Sequence, residues 1–309
     1  MNKVGLPYQT DVKFSDLKSL LLSTIKNLAI IPLIVAPAVF AHGQSASKSS
    51  LLWKISGNWL SIPSYIFGTI HALPQDRFFL PDSVKTVFAS SSKVVLEIDM
   101  DDPGMMKELQ QEMLMTDNSL EKILSPDDYD LVAKFFIDSL QLPLAAVANV
   151  KPMLISSFML PKIIGQNPAS YEGTFVQMAS DLGKEVVGLE TVKEQISYID
   201  KIPLDQQAKM LVDGIIDYNK SKEEYASMLS AYETQNIDDI YTYMLETSND
   251  FKEFEDLLLK QRNHIWVPRI GTLAKESSCF FAVGSGHLGG HEGVVALLRN
   301  AGFTVTPVI

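Results

Sequence analysis

The sequence predicts an α/β (mixed α+β) fold: N- and C-terminal β-α-β units, related by internal duplication, form one central mixed sheet under a large helical middle region. Residues 64–71 and 280–287 each end an apolar, β-prone run in Gly-x-x-His, and each is followed by a helical and then a strand pattern. Between them, residues 103–275 carry mostly helical patterns. Strand ends in such units share one sheet edge, so we expect two histidines to meet there.

The strands are recognised by short apolar runs between turn residues. Gly57 and Asn58 predict a hairpin-like turn between the first two strands, and the run before Ile98 has the composition of a buried strand. Strands are predicted at residues 51–55, 64–67, 93–98, 185–189, 279–283 and 303–308.

The helices are recognised by their ends and by apolar periodicity. Ser125 and Pro126 form a good helix start, with serine as the cap and proline in the first turn. Gly183 and Gly302 are placed to end helices. Helices are predicted at residues 81–90, 171–182 and 292–300, in several short pieces over 103–165, and over almost all of 203–275.

Composition excludes several classes of protein. The chain is 46% hydrophobic and 20% charged, which argues against disorder. Its 26 basic and 37 acidic residues give a net charge of −11, and no basic stripe is present, so we expect no nucleic-acid partner. The single cysteine, Cys279, excludes an intramolecular disulfide and a structural metal held by several thiolates.

The N-terminus has the pattern of an export signal. Several lysines precede an uncharged run over residues 28–41, which ends in a small-residue cleavage site at Ala41. We therefore predict a signal peptide at 1–41, a linker at 42–50 and the domain at 51–309, with a helical insertion at about 103–275. The protein is expected to be exported, periplasmic or secreted. The alternative is an uncleaved inner-membrane anchor, which would be its only membrane contact.

Three residues suggest a metal site. His71 and His287 close the two repeated segments, and Glu97 lies inside the apolar run 94–98, where a carboxylate is costly to bury unless paired or metal-bound. Two imidazoles and a carboxylate suit a divalent Mn, Co, Fe or Zn ion. Structural roles for either histidine, and an exposed or salt-bridged Glu97, stay open from the residues alone. Asp99 is the alternative carboxylate.

Other motifs are incomplete. His291 lies four residues after His287, but Gly289 and Gly290 interrupt the helix that a His-Glu-x-x-His zinc motif requires. We therefore expect His291 to lie near the metal or to contact substrate. The sequence contains no Gly-x-Ser-x-Gly elbow and no phosphate-binding Gly-x-x-x-x-Gly-Lys-Ser/Thr motif.

Several short motifs then identify a family resemblance over about residues 51–308. They are Leu-Trp-Lys-Ile at 52–55, Phe-Gly-Thr-Ile-His at 67–71, Leu-Pro-Asp at 80–82, Val-Leu-Glu-Ile-Asp at 95–99, Gly-Leu-Glu-Thr at 188–191, Arg-Asn at 262–263 with Trp266, and Val-Gly-Ser-Gly-His-Leu at 283–288. In this order they resemble the TraB/GumN family, which includes the Tiki proteases and is more distantly similar to erythromycin-esterase-like and ChaN-like proteins.

The resemblance implies a role for each matching residue. It implies a metal-dependent peptidase site in which His71, His287 and Glu97 hold or adjoin the ion, with Glu97 or Glu190 as the general base. It implies Arg262 as a further catalytic residue that holds a substrate carboxylate or the oxyanion. It also implies substrate contacts from Asn263 and Glu172, although Glu172 stands where the family is expected to prefer Asp.

Three functions follow as alternatives. The first is a metal-dependent hydrolase acting on a peptide or small molecule, most plausibly on peptide bonds. The second is a non-catalytic peptide-binding or inhibitory protein, and the third is a haem- or iron-binding protein of ChaN-like type. Intact His71, Glu97 and His287 favour the first, because a pure binder tolerates their loss. The sequence sets no oligomeric state.

Overall fold

A six-stranded mixed sheet organises the described part of the chain. The computed structural model describes residues 49–165, 167–247 and 249–309. Its sheet strands are β1 (Leu52–Gly57), β2 (Ser64–Thr69), β3 (Lys93–Leu96), β4 (Glu185–Gly188), β5 (Cys279–Gly284) and β6 (Phe303–Pro307). The predicted signal segment and most of the predicted linker lie outside these residues. Ser50, at the predicted end of the linker, is buried and donates a hydrogen bond to the carbonyl of Val308 at 2.7 Å.

The strand order is β4-β3-β5-β2-β1-β6, so segments distant in sequence are neighbours in the sheet. β2, β5, β3 and β4 run parallel to one another, whereas β1 is antiparallel to both β2 and β6. The prediction of one mixed sheet built from both ends of the domain is confirmed. The internal duplication stays a prediction.

Helices occupy most of the remaining chain, as the middle region predicts. The helices are α1 (Asp82–Ser90), α2 (Met105–Glu112), α3 (Leu120–Ile123), α4 (Pro126–Phe135), α5 (Pro152–Ile155), α6 (Leu160–Ile164), α7 (Tyr171–Asp181), α8 (Val192–Ile199), α9 (Leu204–Ile216), α10 (Tyr218–Glu233), α11 (Ile237–Thr247), α12 (Asn249–Glu255), α13 (Gln261–Glu276) and α14 (Val294–Asn300). Two π-helical stretches, Phe136–Leu140 and Asp256–Lys260, interrupt the α-helical ones.

Local signals set several of these helix boundaries. Ser125 caps α4 by accepting the N–H of Asp128, with Pro126 in the first turn, as predicted. Gly183 and Gly302 follow α7 and α14 with φ of +62° and +89°, a backbone conformation that glycine adopts without strain. β3 ends at Leu96 rather than at residue 98, so Glu97 follows the strand instead of lying within it.

The core sits between the sheet and its covering helices. Phe280 of β5 packs against Phe88 of α1 and Phe175 of α7, with ring centroids 5.1 and 5.0 Å apart. All three side chains are fully buried, and burial of apolar area of this kind is the main stabilising contribution to the fold. Within the described ranges, no helix has the length and apolar character that crossing a membrane requires.

Candidate active site at the carboxyl edge of the sheet

The register of β2 and β5 brings the two histidine loops together. The strands pair in parallel, with Thr69 opposite Gly284 as the last pair. His71 lies two residues beyond this pair, and His287 lies in a one-turn 3-10 helix directly after β5. Both loops therefore leave the same edge of the sheet, as the repeated segments predict.

Glu97 reaches the same edge from the neighbouring strand, because β3 pairs with β5 on the side opposite β2. Its carboxylate is buried, and its Oε1 accepts the N–H of Gly284 at 2.8 Å and lies 4.0 Å from Nε2 of His71. Burial raises the pKa of Glu97, but the charge of Arg262, the two imidazoles and the Gly284 N–H outweigh burial and lower it to about 2. Glu97 is therefore ionised at neutral pH.

Glycine at position 284 permits this close approach. A Cβ added there would lie 3.1 Å from Nε2 of His71 and 3.3 Å from Oε1 of Glu97. At Gly68, an added Cβ would lie 2.9 Å from Cδ1 of Leu288, in the second loop. The two glycines of the repeated segments thus bring the loops and Glu97 into contact.

His71 is oriented by Glu172, on α7. Its Nδ1 lies 3.0 Å from Oε1 of Glu172, which also accepts the hydroxyl of Thr69 at 2.6 Å. Because a carboxylate only accepts, we assign a proton to Nδ1, and Nε2 is the ring nitrogen that faces Glu97. Burial lowers the pKa of His71, but the charge of Glu172 and its hydrogen bond outweigh burial and raise it.

His287 is oriented from α13. Its Nδ1 lies 2.6 Å from Oδ1 of Asn263, and its Nε2 lies 3.1 Å from Nη1 of Arg262. Because a guanidinium only donates, Nε2 is the acceptor and Nδ1–H donates to Asn263. Burial and the charge of Arg262 hold the pKa of His287 well below its usual value, so this imidazole is neutral.

Arg262 lies at the centre of a buried ion cluster. Its Nη2 donates to Oε2 of Glu97 at 2.7 Å and to Oε1 of Glu190 at 2.6 Å, and its Nε donates to Glu190 at 3.0 Å. Its Nη1 donates to the carbonyl of Leu258 at 3.0 Å as well as to His287. All five N–H groups thus have partners, so Arg262 holds a substrate carboxylate only by giving up one of these bonds.

Glu190 is placed beside Glu97 by the pairing of β3 and β4. Its backbone N–H donates to the carbonyl of Glu97 at 2.9 Å, and Thr191 then begins α8 with a capping box formed with Glu194. Its Oε2 also accepts the indole N–H of Trp266 at 3.1 Å. Burial raises the pKa of Glu190 even though Arg262 lowers it.

The cavity at this edge shows which predicted residues face a substrate. His71, Glu97, Arg262 and His287 line it. Glu172, Asn263 and Glu190 do not line it, since each is buried behind a histidine or Arg262. His291 is exposed and lies outside the lining, because Gly290, with φ of +79°, turns the chain away after His287. The expectation that His291 adjoins the ion or substrate is therefore not met.

Gln195 is a site residue that sequence reasoning missed. Its Nε2 donates to Oε2 of Glu97 at 3.3 Å and to Oε1 of Glu190 at 3.1 Å, so it bridges the two carboxylates. A glutamine on an amphipathic helix carries no local signal of this role. Thr69 is the second missed residue. Its position inside the Phe-Gly-Thr-Ile-His motif could have identified it as part of the site.

The side chains at this edge are of the types that bind divalent ions, but one of the three donors is engaged by Arg262. His71 Nε2 and Glu97 Oε1 face each other across 4.0 Å, and both histidines have their Nδ1 fixed by a buried acceptor, as metal-binding histidines do. The third donor, Nε2 of His287, accepts from Arg262. Among the residues that the structure describes, no three His, Cys, Asp or Glu side chains are grouped so as to hold a metal.

Sequence comparisons identify the known proteins to which this chain is similar. The profile of the TraB/PrgY/gumN family matches residues 51–307. "Metalloprotease TIKI homolog" of Amphimedon queenslandica is 25% identical over 84% of this chain and 62% of its own length. "Metalloprotease TIKI2" of Danio rerio is 24% identical over 83% and 60% of the two chains, and "Metalloprotease TIKI1" of Homo sapiens is 24% identical over 85% and 62%.

The chain thus spans about three fifths of the length of these curated relatives. No solved structure matches it.

Proposed function

Because the chain belongs to the TraB/PrgY/gumN family, we propose that it is a metal-dependent hydrolase that cleaves peptide bonds in the cavity at the carboxyl edge of the sheet. The observation that carries this proposal is the convergence of His71, Glu97 and His287, each buried or nearly so, on one cavity. The family and its metalloprotease relatives, which are distant, support the choice of reaction.

His71, Glu97 and His287 are the residues proposed to hold a Mn, Co, Fe or Zn ion. Such an ion supplies a Lewis acid and lowers the pKa of bound water. Glu172 and Asn263 keep the protons on the Nδ1 atoms, so that each Nε2 is available as a lone-pair donor. His287 becomes available when Arg262 gives up its hydrogen bond.

Glu97 is the proposed general base, unless it serves only as a ligand. Glu97 lines the cavity, and its pKa of about 2 leaves the carboxylate ionised near neutral pH, so it is free of a proton but only a weak base. Glu190, the other carboxylate proposed from the family resemblance, does not line the cavity, and its oxygens are engaged by Arg262, Trp266 and Gln195. We therefore assign to Glu190 the role of holding Arg262 in place.

Peptide binding without hydrolysis is the second candidate function. One wall of the cavity is apolar, and such a wall binds a peptide side chain whether or not a bond is cleaved. No observation of the site favours haem binding over these two functions.

Export of the protein is also a proposal. It depends on residues 1–41, which lie outside the described residues. Sequencing the N-terminus of the protein recovered from cells tests it. A mature protein that begins at His42 agrees with cleavage, whereas a protein that still begins at Met1 contradicts it.

The hydrolase proposal is tested by incubating the purified full chain with a peptide library and each of the four metal ions, then identifying cleavage products by mass spectrometry. Glu97→Gln separates the two roles of Glu97: loss of turnover with metal retained identifies a base, and loss of both identifies a ligand. His291→Ala, at an exposed position outside the cavity, is the control and is expected to retain turnover. Full turnover by Glu97→Gln would contradict the proposal.

A further inference from the structure

We propose that the cavity accepts an uncharged stretch of peptide with an apolar side chain beside the scissile bond, and that it disfavours an acidic side chain at that position. This inference rests on the proposed function, since it specifies the substrate of the same site.

The side of the cavity away from the sheet is apolar. The empty volume of the cavity, including space open to solvent, is about 830 Å³. α10, α11 and the π-helical stretch Asp256–Lys260 build this wall. Its side chains are aliphatic, thioether or aromatic: Met228, Tyr232, Ile240, Met244, Leu258 and Leu259. Tyr232 presents its ring, because its hydroxyl donates to the carbonyl of Gly68 at 2.9 Å.

The apolar wall directly adjoins the polar site. A Cβ added at Gly286 would lie 2.7 Å from Sδ of Met244, so the missing side chain lets Met244 contact the loop that carries His287. A substrate residue whose apolar side chain contacts Met244 therefore has its backbone beside the imidazole of His287. Unbranched methionines adapt to side chains of different shape, which suits Leu, Met or Phe at this position.

The apolar wall offers no charge partner for a carboxylate. None of its side chains is a lysine or arginine, and Arg262, the only lysine or arginine among the described lining residues, has protein partners for all five of its N–H groups. An ion held by His71, Glu97 and His287 would lie on the polar side of the cavity, away from this wall. An acidic side chain seated against the wall would thus lose its water without gaining a cation, so it is disfavoured there.

The test uses N-acetylated, C-amidated octapeptides of glycine and serine with one central Leu, Met, Phe, Asp or Lys. Binding to the Mn-supplemented full chain is measured by calorimetry, and cleavage by mass spectrometry. Apolar peptides are expected to bind about tenfold or more tightly than the Asp peptide, and to be cut beside the apolar residue.

Met244→Lys is the informative variant, since it places a cation in the apolar wall. It is expected to weaken binding of the Leu peptide about tenfold and to strengthen binding of the Asp peptide, a reversal that unfolding does not produce. Thr242→Lys, at an exposed position of the same helix, adds the same charge and is expected to leave the preference unchanged.

The outcomes separate this inference from the proposed function. Apolar preference in binding without cleavage supports the inference and contradicts hydrolysis. Cleavage with no apolar preference, or with a preference for Asp, overturns the inference and leaves hydrolysis standing. Failure of every peptide to bind and to be cut overturns the inference as well.

Discussion

Nη1 of Arg262 lies 3.1 Å from Nε2 of His287, so a guanidinium holds the lone pair that a metal ion would use. The same guanidinium forms ion pairs with Glu97 and Glu190, which are both buried. An ion entering the site therefore competes with a cation that is already part of the protein.

Arg262→Met is predicted to destabilise the protein and to increase its response to metal. The variant leaves two buried carboxylates without their cation, which typically costs about 3–5 kcal/mol of unfolding free energy. Because Nε2 of His287 becomes free, Mn²⁺ is expected to raise the melting temperature more in the variant than in the wild type. Thermal and urea unfolding with and without Mn²⁺ measure both effects.

Arg269→Met is the matched control. Arg269 pairs with Glu194 at 2.7 Å in a half-exposed position, where loss of an ion pair costs about 1 kcal/mol or less. Equal losses of unfolding free energy in the two variants would contradict a larger stabilising contribution from the buried ion cluster. Equal rises in melting temperature with Mn²⁺ would show that Arg262 does not compete with the ion.

Gly284→Ala is predicted to reduce metal affinity and turnover by about tenfold or more, because the new Cβ displaces His71 and Glu97 by a few tenths of an ångström. Gly214→Ala is the control: nothing lies within 4 Å of its added Cβ, and alanine in a helix is more favourable by about 1 kcal/mol. Metal titration calorimetry with both variants makes the comparison. Unchanged affinity in Gly284→Ala would contradict the placement of the ion.

Glu172→Gln is predicted to lower metal affinity or turnover by about 10–100-fold, as loss of the partner that orients a metal-binding histidine typically does. The amide that replaces the carboxylate is uncharged and has one acceptor oxygen for the three groups that Glu172 holds, so it fixes Nδ1–H of His71 less firmly. Glu233→Gln, which removes a surface partner of Arg77, serves for comparison. Metal-binding isotherms test this, and wild-type affinity in Glu172→Gln would contradict the role assigned to Glu172.

Glu224 is predicted to make the protein less stable as pH rises. Burial raises its pKa from 4.5 to about 7, and among the described residues its carboxylate oxygens have no hydrogen-bond partner. The unfolded carboxyl group ionises first, so stability falls from about pH 4.5 to about pH 7 and stays lower above that. Glu224→Gln is expected to raise the free energy of unfolding by about 1–2 kcal/mol at pH 8, after allowance for solvent screening. At pH 4 the substitution is expected to change it by almost nothing.

Urea unfolding at the two pH values checks the Glu224 prediction. Glu223→Gln, at the exposed neighbouring position, is the matched control for removal of one carboxylate from the same helix. The same gain at pH 4 and pH 8 for Glu224→Gln would contradict the titration of Glu224.

Local sequence patterns predicted which loops meet at the sheet edge, but not the hydrogen bonds and ion pairs between their side chains. Strand-like runs ending in Gly-x-x-His, and a glutamate after a buried run, were enough to expect His71, His287 and Glu97 at one sheet edge. The place of Arg262 could not be predicted from such patterns, because its bond to Glu97 joins residues 165 positions apart. Pairing at that distance depends on helix packing, which a one-dimensional pattern does not encode.

The family resemblance pointed to residues that the structure brings together, but not to the contacts between them. Glu172, Asn263 and Glu190 were expected to face substrate or to act in catalysis, and the structure places them behind His71, His287 and Arg262 instead. A motif marks a residue that the site requires, whether it touches the substrate or holds another side chain. The apolar wall was missed for a related reason, since apolar helix positions in a core and in a cavity follow the same periodicity.

The most direct test of the metal site is elemental analysis of the purified full chain, the His71→Ala/His287→Ala double variant and the His291→Ala control. The proposed site predicts close to one Mn, Fe, Co or Zn ion per chain in the wild type and the control, and none in the double variant. Equal metal content in all three proteins, or no metal in any of them after each ion has been added back, would contradict it.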